Sequence, residues 1–360
     1  MATEKKMHHY VPKAYLKAFA DNRKFIQVYL KDHPEKSINQ SIDKVGRHLY
    51  YYSTPRSDGG RDNNSLDDLF SKLEDKWPLL VEKIRRKEDI CLEDRAIFLA
   101  FMALQRARVP ATRDLIEKVK AEEVKFFIQG MDAAGKLPPK PIGLENILDH
   151  IKVAIDPYQS LLLMKNLVEG FIRLFSKICF SVLHNKSEIE FLTSDNPVIW
   201  FDPSIKETEA RPYTWMPGGP VVLLFPIAPD CLIYGDTQVQ ENGVGHKISH
   251  TDLEKSRIVM KINRQVCRFA YEAVFSQQRG HEVLVKEFAD VSPVPHVEQS
   301  QENGVRSFKA SYIFGERKKK DKMVIWCYLF SSKLLVDPIF SLLSNPLPRA
   351  GVLPKQSQFP

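Results

Sequence analysis

The sequence predicts an α+β fold: a largely helical N-terminal half, a small antiparallel sheet and a C-terminal extension. Between residues 65 and 184, apolar side chains recur at intervals of three and four, which is typical of helices. From residue 188 to 234 the pattern changes to short β-branched and aromatic runs separated by Asn-Pro, Pro-Gly-Gly and Ala-Pro-Asp turns. Strands and helices do not alternate strictly, so α+β is favoured over a doubly wound parallel sheet.

The first residues are expected to form an extended segment, a short helix and a strand. Val11-Pro12 favours extended backbone, and residues 14–20 can form one or two helical turns. Residues 25–29 combine aromatic and β-branched side chains, which favours a strand, and residues 41–53 are a weaker candidate for a second one.

Helices are then predicted one after another. Ser65 is a good N-cap for the first of them, and Pro78 should divide or kink it. The predicted helices span residues 65–84, 92–108, 112–127, 146–155 and 158–184.

The remaining chain is predicted to hold the sheet, one more helix and the extension. Short strands are expected at 189–193, 198–201, 220–226 and 231–234, followed by a helix over 251–275 that is broken or preceded by a strand at 258–262. We therefore expect one domain over residues 1–280 and an extension over 281–360, which holds a basic hairpin and a proline-rich tail.

Positive charge is concentrated at the two ends of the chain. The net charge is +7, but residues 1–31 carry +5 and residues 301–360 carry +6, which leaves residues 32–300 at −4. Only the ends are therefore candidates for contact with phosphate. The five cysteines are widely spaced and no stretch is apolar enough to cross a membrane, so we expect a cytoplasmic protein without a membrane partner. The sequence predicts no oligomeric state.

Two adjacent histidines, His8 and His9, open the most distinctive segment, HHYVPKAYLKAF at residues 8–19. Adjacent side chains of an extended segment point to opposite faces, so at most one imidazole easily enters a given pocket. This segment resembles the HHYVPxxYLxxF opening of a family of mostly bacterial proteins, the domain of unknown function DUF4238. FMALQRARVP at 101–110, FLTSDNPV at 191–198, FPIAP at 225–229 and Asn263 resemble further elements of that family. The resemblance spans roughly residues 8–276 and implies a fold and a set of positions, but no reaction.

Two of these elements carry candidate site residues. Asp195 and Asn196 lie before a proline at the end of a predicted strand, where the carboxylate could accept a proton or coordinate a ligand, or simply form a turn. Gln105 and Arg108 share one face of a helix end and could bind an anion or complement the helix dipole, whereas Arg106 points elsewhere.

A histidine, an aspartate and an arginine can together hydrolyse a phosphodiester. His8 or His9 would act as base or metal ligand, Asp195 would orient it, and Arg108 would hold a phosphate. The leading hypothesis is therefore a nuclease acting on RNA or DNA, with Gln105, Arg106 and Asn196 contacting substrate. Whether it would use a divalent cation, Mg²⁺ or Mn²⁺, is left open. Lys318, Lys319 and Lys320 are predicted to form a hairpin tip that contacts the nucleic-acid backbone, or a solvated turn.

Three other hypotheses compete with this one. In the first, the chain is a non-catalytic protein that binds nucleic acid or another protein, and the same motifs are structural. In the second, it hydrolyses a small phosphorylated molecule in a closed pocket. In the third, His9, Asn22 and His33 form an HNH-type metal site, although residues 14–20 favour a helix where that motif needs a strand or loop.

Overall fold

A computed structural model describes residues 4–143, 146–207, 209–214, 218–238, 248–302 and 305–317. The helices within these residues are α1 (Lys13–Leu16), α2 (Ser65–Glu74), α3 (Trp77–Arg85), α4 (Leu92–Arg108), α5 (Pro110–Ala133), α6 (Ile147–His150), α7 (Tyr158–Leu162), α8 (Met164–Phe175), α9 (Ser256–Phe269) and α10 (Glu282–Glu287). Pro78 stands in the first turn of α3, where its missing N–H costs no hydrogen bond, so the predicted helix over 65–84 is divided in two.

Strands begin at the N-terminus and recur along the chain. They are β1 (Met7–His9), β2 (Phe25–Leu30), β3 (Ile38–Ser41), β4 (Arg47–Leu49), β5 (Thr54–Pro55), β6 (Arg61–Asp62), β7 (Cys179–Asn185), β8 (Thr193–Ser194), β9 (Ile199–Phe201), β10 (Val222–Ala228), β11 (Cys231–Asp236), β12 (Ser249–Leu253), β13 (Ala273–Ser276), β14 (Val291–Glu302) and β15 (Val305–Glu316).

The larger sheet has five strands in the order β12-β7-β11-β10-β9. Its pairs are antiparallel except for β12, which runs parallel to β7. All seven residues of β10 are buried, because the sheet is covered on both faces. Leu223 and Phe225 join the core formed by α3, α4 and α8, whereas Val222 and Leu224 pack against the apolar side of α9. The sheet therefore separates two layers of helix.

A second sheet of four strands joins distant parts of the chain in the order β3-β2-β13-β8. Strand β2 pairs with β13, so that Phe275 faces Val28, and β13 pairs in turn with β8. Separately, β1 pairs with β4, and β14 with β15 in a long antiparallel hairpin. This second sheet carries the 193–196 element and is the framework of the candidate site.

The predicted fold class is wrong. The chain is a mixed α/β structure with 38% helix, 25% strand and several sheets, and its N-terminal half is not largely helical. Six strands precede α2, and the five-stranded sheet is mixed rather than small and antiparallel. Local periodicity missed this because β2 and β13 lie more than 240 residues apart in sequence, so the pairing that stabilises both is invisible to a short window.

Two long predicted helices also differ from the structure. The one over 158–184 ends at Phe175, and its last third is strand β7, since Cys179–Asn185 pairs with β11. The one over 251–275 becomes β12, α9 and β13. Among the described residues, we find no helix with the length and apolar character needed to cross a membrane.

Candidate functional site

The elements that are distinctive in sequence meet around one buried tyrosine. The Tyr15 hydroxyl lies 2.5 Å from Thr193 Oγ1 and donates to the Pro226 carbonyl at 2.5 Å. Gln105 Nε2 donates to the Tyr10 carbonyl at 3.1 Å. Four sequence elements are therefore joined by side-chain hydrogen bonds, and we call Tyr10, Tyr15, Gln105, Thr193 and Pro226 the motif junction.

The N-terminal segment reaches the motif junction because a glycine lets it approach closely. Gly46 has a φ of +62° and accepts hydrogen bonds from the N–H groups of Tyr10 and Val11 at 2.8 and 3.1 Å. A Cβ atom at position 46 would lie 2.8 Å from the Val11 Cβ, so only glycine fits without a shift. Pro12 then holds extended backbone, and α1 begins at the next residue.

His8 is fully buried, and both of its ring nitrogens are used inside the protein. Nδ1 accepts from the Tyr52 backbone N–H at 2.9 Å, and Nε2 lies 2.8 Å from the Asn63 carbonyl, to which it must donate. The ring also stacks on Tyr52 at 5.5 Å. These contacts fix one neutral tautomer and leave His8 no nitrogen for a substrate.

His9 lies on the opposite face of β1 and is only half-buried. Burial, followed by the nearby charges of Lys13 and Arg47, lowers the pKa of His9 to about 4. Its Nε2 is buried and has no hydrogen-bond partner. His9 is therefore a neutral imidazole at physiological pH, separated from His8 by the strand itself.

Arg108 is fully buried and held by an internal ion pair. Its Nη1 donates to Glu74 Oε1 at 2.6 Å, and its Nε and Nη2 donate to Gln105 Oε1 at 3.2 and 2.9 Å. Gln105 and Arg108 thus share a face, as their spacing predicts. All three donating nitrogens have protein partners, so Arg108 stabilises the junction of α2 with α4.

Asp195 is also fully buried, and its carboxylate binds backbone. Oδ1 accepts from the Tyr271 N–H at 2.8 Å, and Oδ2 accepts from the N–H groups of Glu272 and Ala273 at 2.6 and 3.1 Å. Burial, reinforced by Glu272, raises the pKa of Asp195, while the N–H donors and Lys31 oppose the shift. The carboxylate orders the turn between α9 and β13.

The structure brings some of the candidate residues together and keeps others apart. His8 and Arg108 both lie near the side chain of Tyr52. Burial raises the pKa of Tyr52, and the positive charge of Arg108 opposes part of that shift. Asp195 is held instead by the backbone of residues 271–273. His33 of the HNH hypothesis is exposed beside Glu35. Within the described part of the chain, no group of three or more His, Cys, Asp or Glu could hold a metal ion.

Arg106 occupies an aromatic chamber formed with Phe171, Trp200, Tyr213 and Tyr312. Its guanidinium carbon lies 3.8 Å from the Tyr213 ring centroid, and 5.4 to 5.9 Å from the other three. Nη1 donates to Thr112 Oγ1. Although Arg106 is only 2% exposed, it makes no ion pair with any described residue. Cation–π contacts of this kind contribute about 0.5–2 kcal/mol each, which offsets part of the cost of burying the charge.

Three buried polar atoms at this aromatic chamber have no partner: Arg106 Nε, Trp200 Nε1 and Asn196 Oδ1. Asn196 Nδ2 is occupied, since it donates to the Phe269 carbonyl at 2.8 Å and lies 2.5 Å from the Tyr213 hydroxyl. An unpartnered buried polar group costs about 1–3 kcal/mol, so three around one arginine are unusual.

Helix α9 forms one wall of an open cavity of about 780 Å³. Its fourteen residues contain four cations, Arg257, Lys261, Arg264 and Arg268, and no acidic residue. The last three line the cavity together with Gln265, the acidic residues Asp202 and Glu207 and, on the opposite wall, the aromatic rings of Phe201, Tyr234 and Phe314. We call this cavity the α9 groove. None of His8, His9, Arg108 or Asp195 lines it.

Sequence reasoning missed the α9 groove, although a signal was present. The cations recur at intervals of four, three and four, which places them along one face of a helix. Overall charge counting hid them, because residues 32–300 are acidic in sum. Only the pairing of β9, β10 and β11 places aromatic rings opposite that face.

Three lysines of the basic N-terminal end are engaged within the fold. Lys5 pairs with Asp67 at 2.8 Å and Lys13 with Asp43 at 3.2 Å. Lys31 is buried and donates to two backbone carbonyls, and burial lowers its pKa. At the other end, Lys318, Lys319 and Lys320 lie outside the described residues.

Comparison with known proteins identifies a family and nothing closer. No curated protein and no solved structure matches the chain. Residues 7–280 match the sequence model of the family DUF4238, which is described as a protein of unknown function. These residues include β1, the motif junction and the whole of α9. The chain therefore belongs to the DUF4238 family.

Proposed function

We propose that the protein binds single-stranded nucleic acid in the α9 groove without cleaving it. The observation that carries this proposal is the pairing of an acid-free basic helix with three aromatic rings across an open cavity. Proteins that bind single strands combine a positive groove, which follows the backbone, with aromatic side chains on which bases stack.

Among the described residues of the positive wall, one cation is available for a phosphate. Arg264 is paired with Glu287, at 2.6 Å from Nη1 to Oε2, and Arg268 donates to the Glu207 carbonyl at 2.6 Å. Lys261 is exposed and has no ion pair with a described residue. We therefore assign the main phosphate contact to Lys261.

The opposite wall provides flat apolar surface. Phe201, Tyr234 and Phe314 are each partly exposed, so their rings are accessible to a base. Arg268 lies over the Phe314 ring at 3.8 Å from its centroid, which holds that ring in place. Gln265, one turn after Lys261, can both donate to and accept from a base edge. A cavity of this volume falls within the usual range for small ligands, about 300–1,000 Å³.

The absence of catalysis is proposed because the candidate catalytic groups are engaged elsewhere. Both nitrogens of His8, the Arg108 guanidinium and the Asp195 carboxylate bind protein atoms, and none of them faces the α9 groove. The nuclease hypothesis stays a prediction. We also propose a cytoplasmic location, which the four free cysteines of the described residues support.

Binding is tested with labelled single-stranded RNA and DNA of mixed sequence, by fluorescence anisotropy at a series of KCl concentrations. Each phosphate contact to a single strand contributes about −0.7 to the slope of log K against log salt. Lys261→Ala should therefore weaken binding and make the slope shallower by about 0.7. Tyr234→Leu should weaken binding about 5- to 150-fold with an unchanged slope, since stacking of one base contributes about 1–3 kcal/mol.

Lys165→Ala is the matched control, because Lys165 is an exposed lysine of α8 that does not line the groove. If Lys261→Ala and Lys165→Ala bind with the same affinity and slope, the α9 groove is not the binding site. The oligonucleotides are also run on denaturing gels after incubation with Mg²⁺ or Mn²⁺. Cleavage that is lost in His9→Ala would support the nuclease hypothesis instead.

A further inference from the structure

Two of the three cations that line the α9 groove are bound by residues outside the helix. Arg264 pairs with Glu287, the last residue of α10, and Arg268 donates to the backbone carbonyl of Glu207. Helix α9 itself contains no acidic residue, so both partners come from neighbouring segments. The two contacts differ in kind, because the carboxylate of Glu287 hydrogen-bonds its arginine, whereas that of Glu207 lies 3.7 Å away.

The Glu287 carboxylate forms a bidentate pair with Arg264. Arg264 Nη1 donates to Oε2 at 2.6 Å, and Nη2 donates to Oε1. Arginine forms the same forked pair with two oxygens of a phosphate, so a carboxylate and a phosphate compete for one set of donors. The carboxylate therefore occupies the place in which a backbone phosphate would bind Arg264.

Arg264 can exchange this partner without a change in the fold. Its guanidinium carbon lies 5.1 Å from the centroid of the Phe288 ring, a contact that does not involve Glu287. Phe288 belongs to a buried apolar cluster that α10 shares with α9, so the two helices stay packed together. The Glu287 side chain is 45% exposed and can rotate into solvent, since an exposed ion pair is weak.

We propose that Arg264 is a second phosphate-binding residue of the α9 groove and that Glu287 competes with nucleic acid for it. This inference rests on the proposed function of the groove. Lys261, three residues earlier on the same helix face, needs no such exchange, whereas Arg264 binds a phosphate only after Glu287 has turned away. Binding is thus restrained by a carboxylate that does not itself line the groove.

The test measures the binding of labelled single-stranded RNA and DNA to the full chain by fluorescence anisotropy at a series of KCl concentrations. Glu287→Gln preserves the size of the side chain and removes its charge. Because an exposed ion pair is weak, the affinity should rise about two- to fivefold. The slope of log K against log salt should become steeper by about 0.7, since one more phosphate is contacted.

Glu282→Gln is the matched control, because it removes the same charge from the same helix. Glu282 accepts from Ser37 Oγ at 3.3 Å rather than from a cation of α9, so this variant should bind like the wild type. Equal affinities and slopes in the two glutamine variants would overturn the inference, while binding that still depends on Lys261 would leave the proposed function intact.

A double variant, Arg264→Gln/Glu287→Gln, separates the loss of the carboxylate from the use of Arg264. Its slope should return to the wild-type value, and a steeper slope that persists without Arg264 would overturn the inference. If neither the wild type nor any variant binds either oligonucleotide, the proposed function itself is wrong, and the inference is overturned with it.

Discussion

Glu74→Gln tests whether Arg108 is structural or held ready for a substrate. Glu74 carries the only carboxylate in the described chain that forms an ion pair with Arg108, at 2.6 Å between Nη1 and Oε1. The substitution preserves the size of the side chain and removes its charge. A guanidinium that is 0% exposed then remains without a counter-charge.

The expected loss of stability is about 3 kcal/mol. Two unit charges about 4 Å apart attract by roughly 4 kcal/mol at an effective dielectric constant of 20, and removal of one partner of a buried pair typically costs about 3–5 kcal/mol. The Glu74 side chain is 19% exposed, so solvent screens part of the interaction, and we take the lower end of the range.

Urea denaturation followed by circular dichroism measures the change in the free energy of unfolding. Glu82→Gln is the matched control, since Glu82 forms an exposed pair with Arg85 on α3, and such pairs contribute at most about 1 kcal/mol. The double variant Glu74→Gln/Arg108→Met should recover part of the loss, because it removes the unpaired charge.

A loss in Glu74→Gln no larger than in Glu82→Gln would refute this reasoning. Arg108 would then not depend on Glu74, and a substrate anion could take its place. In that case Arg108 could hold a phosphate of the substrate, as the nuclease hypothesis requires.

Three further predictions concern the N-terminal segment. Burial lowers the pKa of His9 from 6.5 to about 4, so the folded state favours the neutral ring. The free energy of unfolding is therefore highest above pH 6.5, and up to about 3 kcal/mol of it is lost as the pH falls to 4. His9→Gln should flatten this pH dependence, which is measured by urea denaturation at a series of pH values. Tyr15→Phe should lower the free energy of unfolding by about 1–2 kcal/mol, since it removes the hydroxyl contacts with Thr193 and a backbone carbonyl; an unchanged urea midpoint would contradict the motif junction. Gly46→Ala should lower the free energy of unfolding by about 1–3 kcal/mol, because the new Cβ would lie 2.8 Å from the Val11 Cβ and φ at this position is +62°. A melting temperature equal to that of the wild type would contradict this prediction.

Sequence patterns located the helices well where packing follows local periodicity. The helix over 92–108 was predicted with the bounds that the structure gives to α4, and Pro78 correctly divided the preceding one. The strand at 25–29 was also found, because its side chains favour extended backbone. The largest error, the fold class, arose where strands depend on distant partners.

For the candidate site residues, too, sequence patterns identified the segments, but only the structure shows what each side chain contacts. Sequence alone identified the three segments that contain His8, Gln105 with Arg108, and Asp195, and the structure links all three in the motif junction. Burial, however, depends on what packs over a residue. The carboxylate of Asp195 faces three N–H groups from residues 271–273, which no reading of the 191–198 stretch could reveal.

By itself, the sequence determined the family, most of the helices and the segments that meet at the centre of the protein. These follow from local patterns and from short strings of residues. Only the tertiary structure decided which charges are accessible. It places Lys5 and Lys13 against aspartates and Lys31 in the core, and it places the cations of α9 opposite aromatic rings. The physical reason is that both desolvation and ion pairing depend on neighbours that are distant in sequence, so the same arginine or lysine can be a structural partner or a binding group.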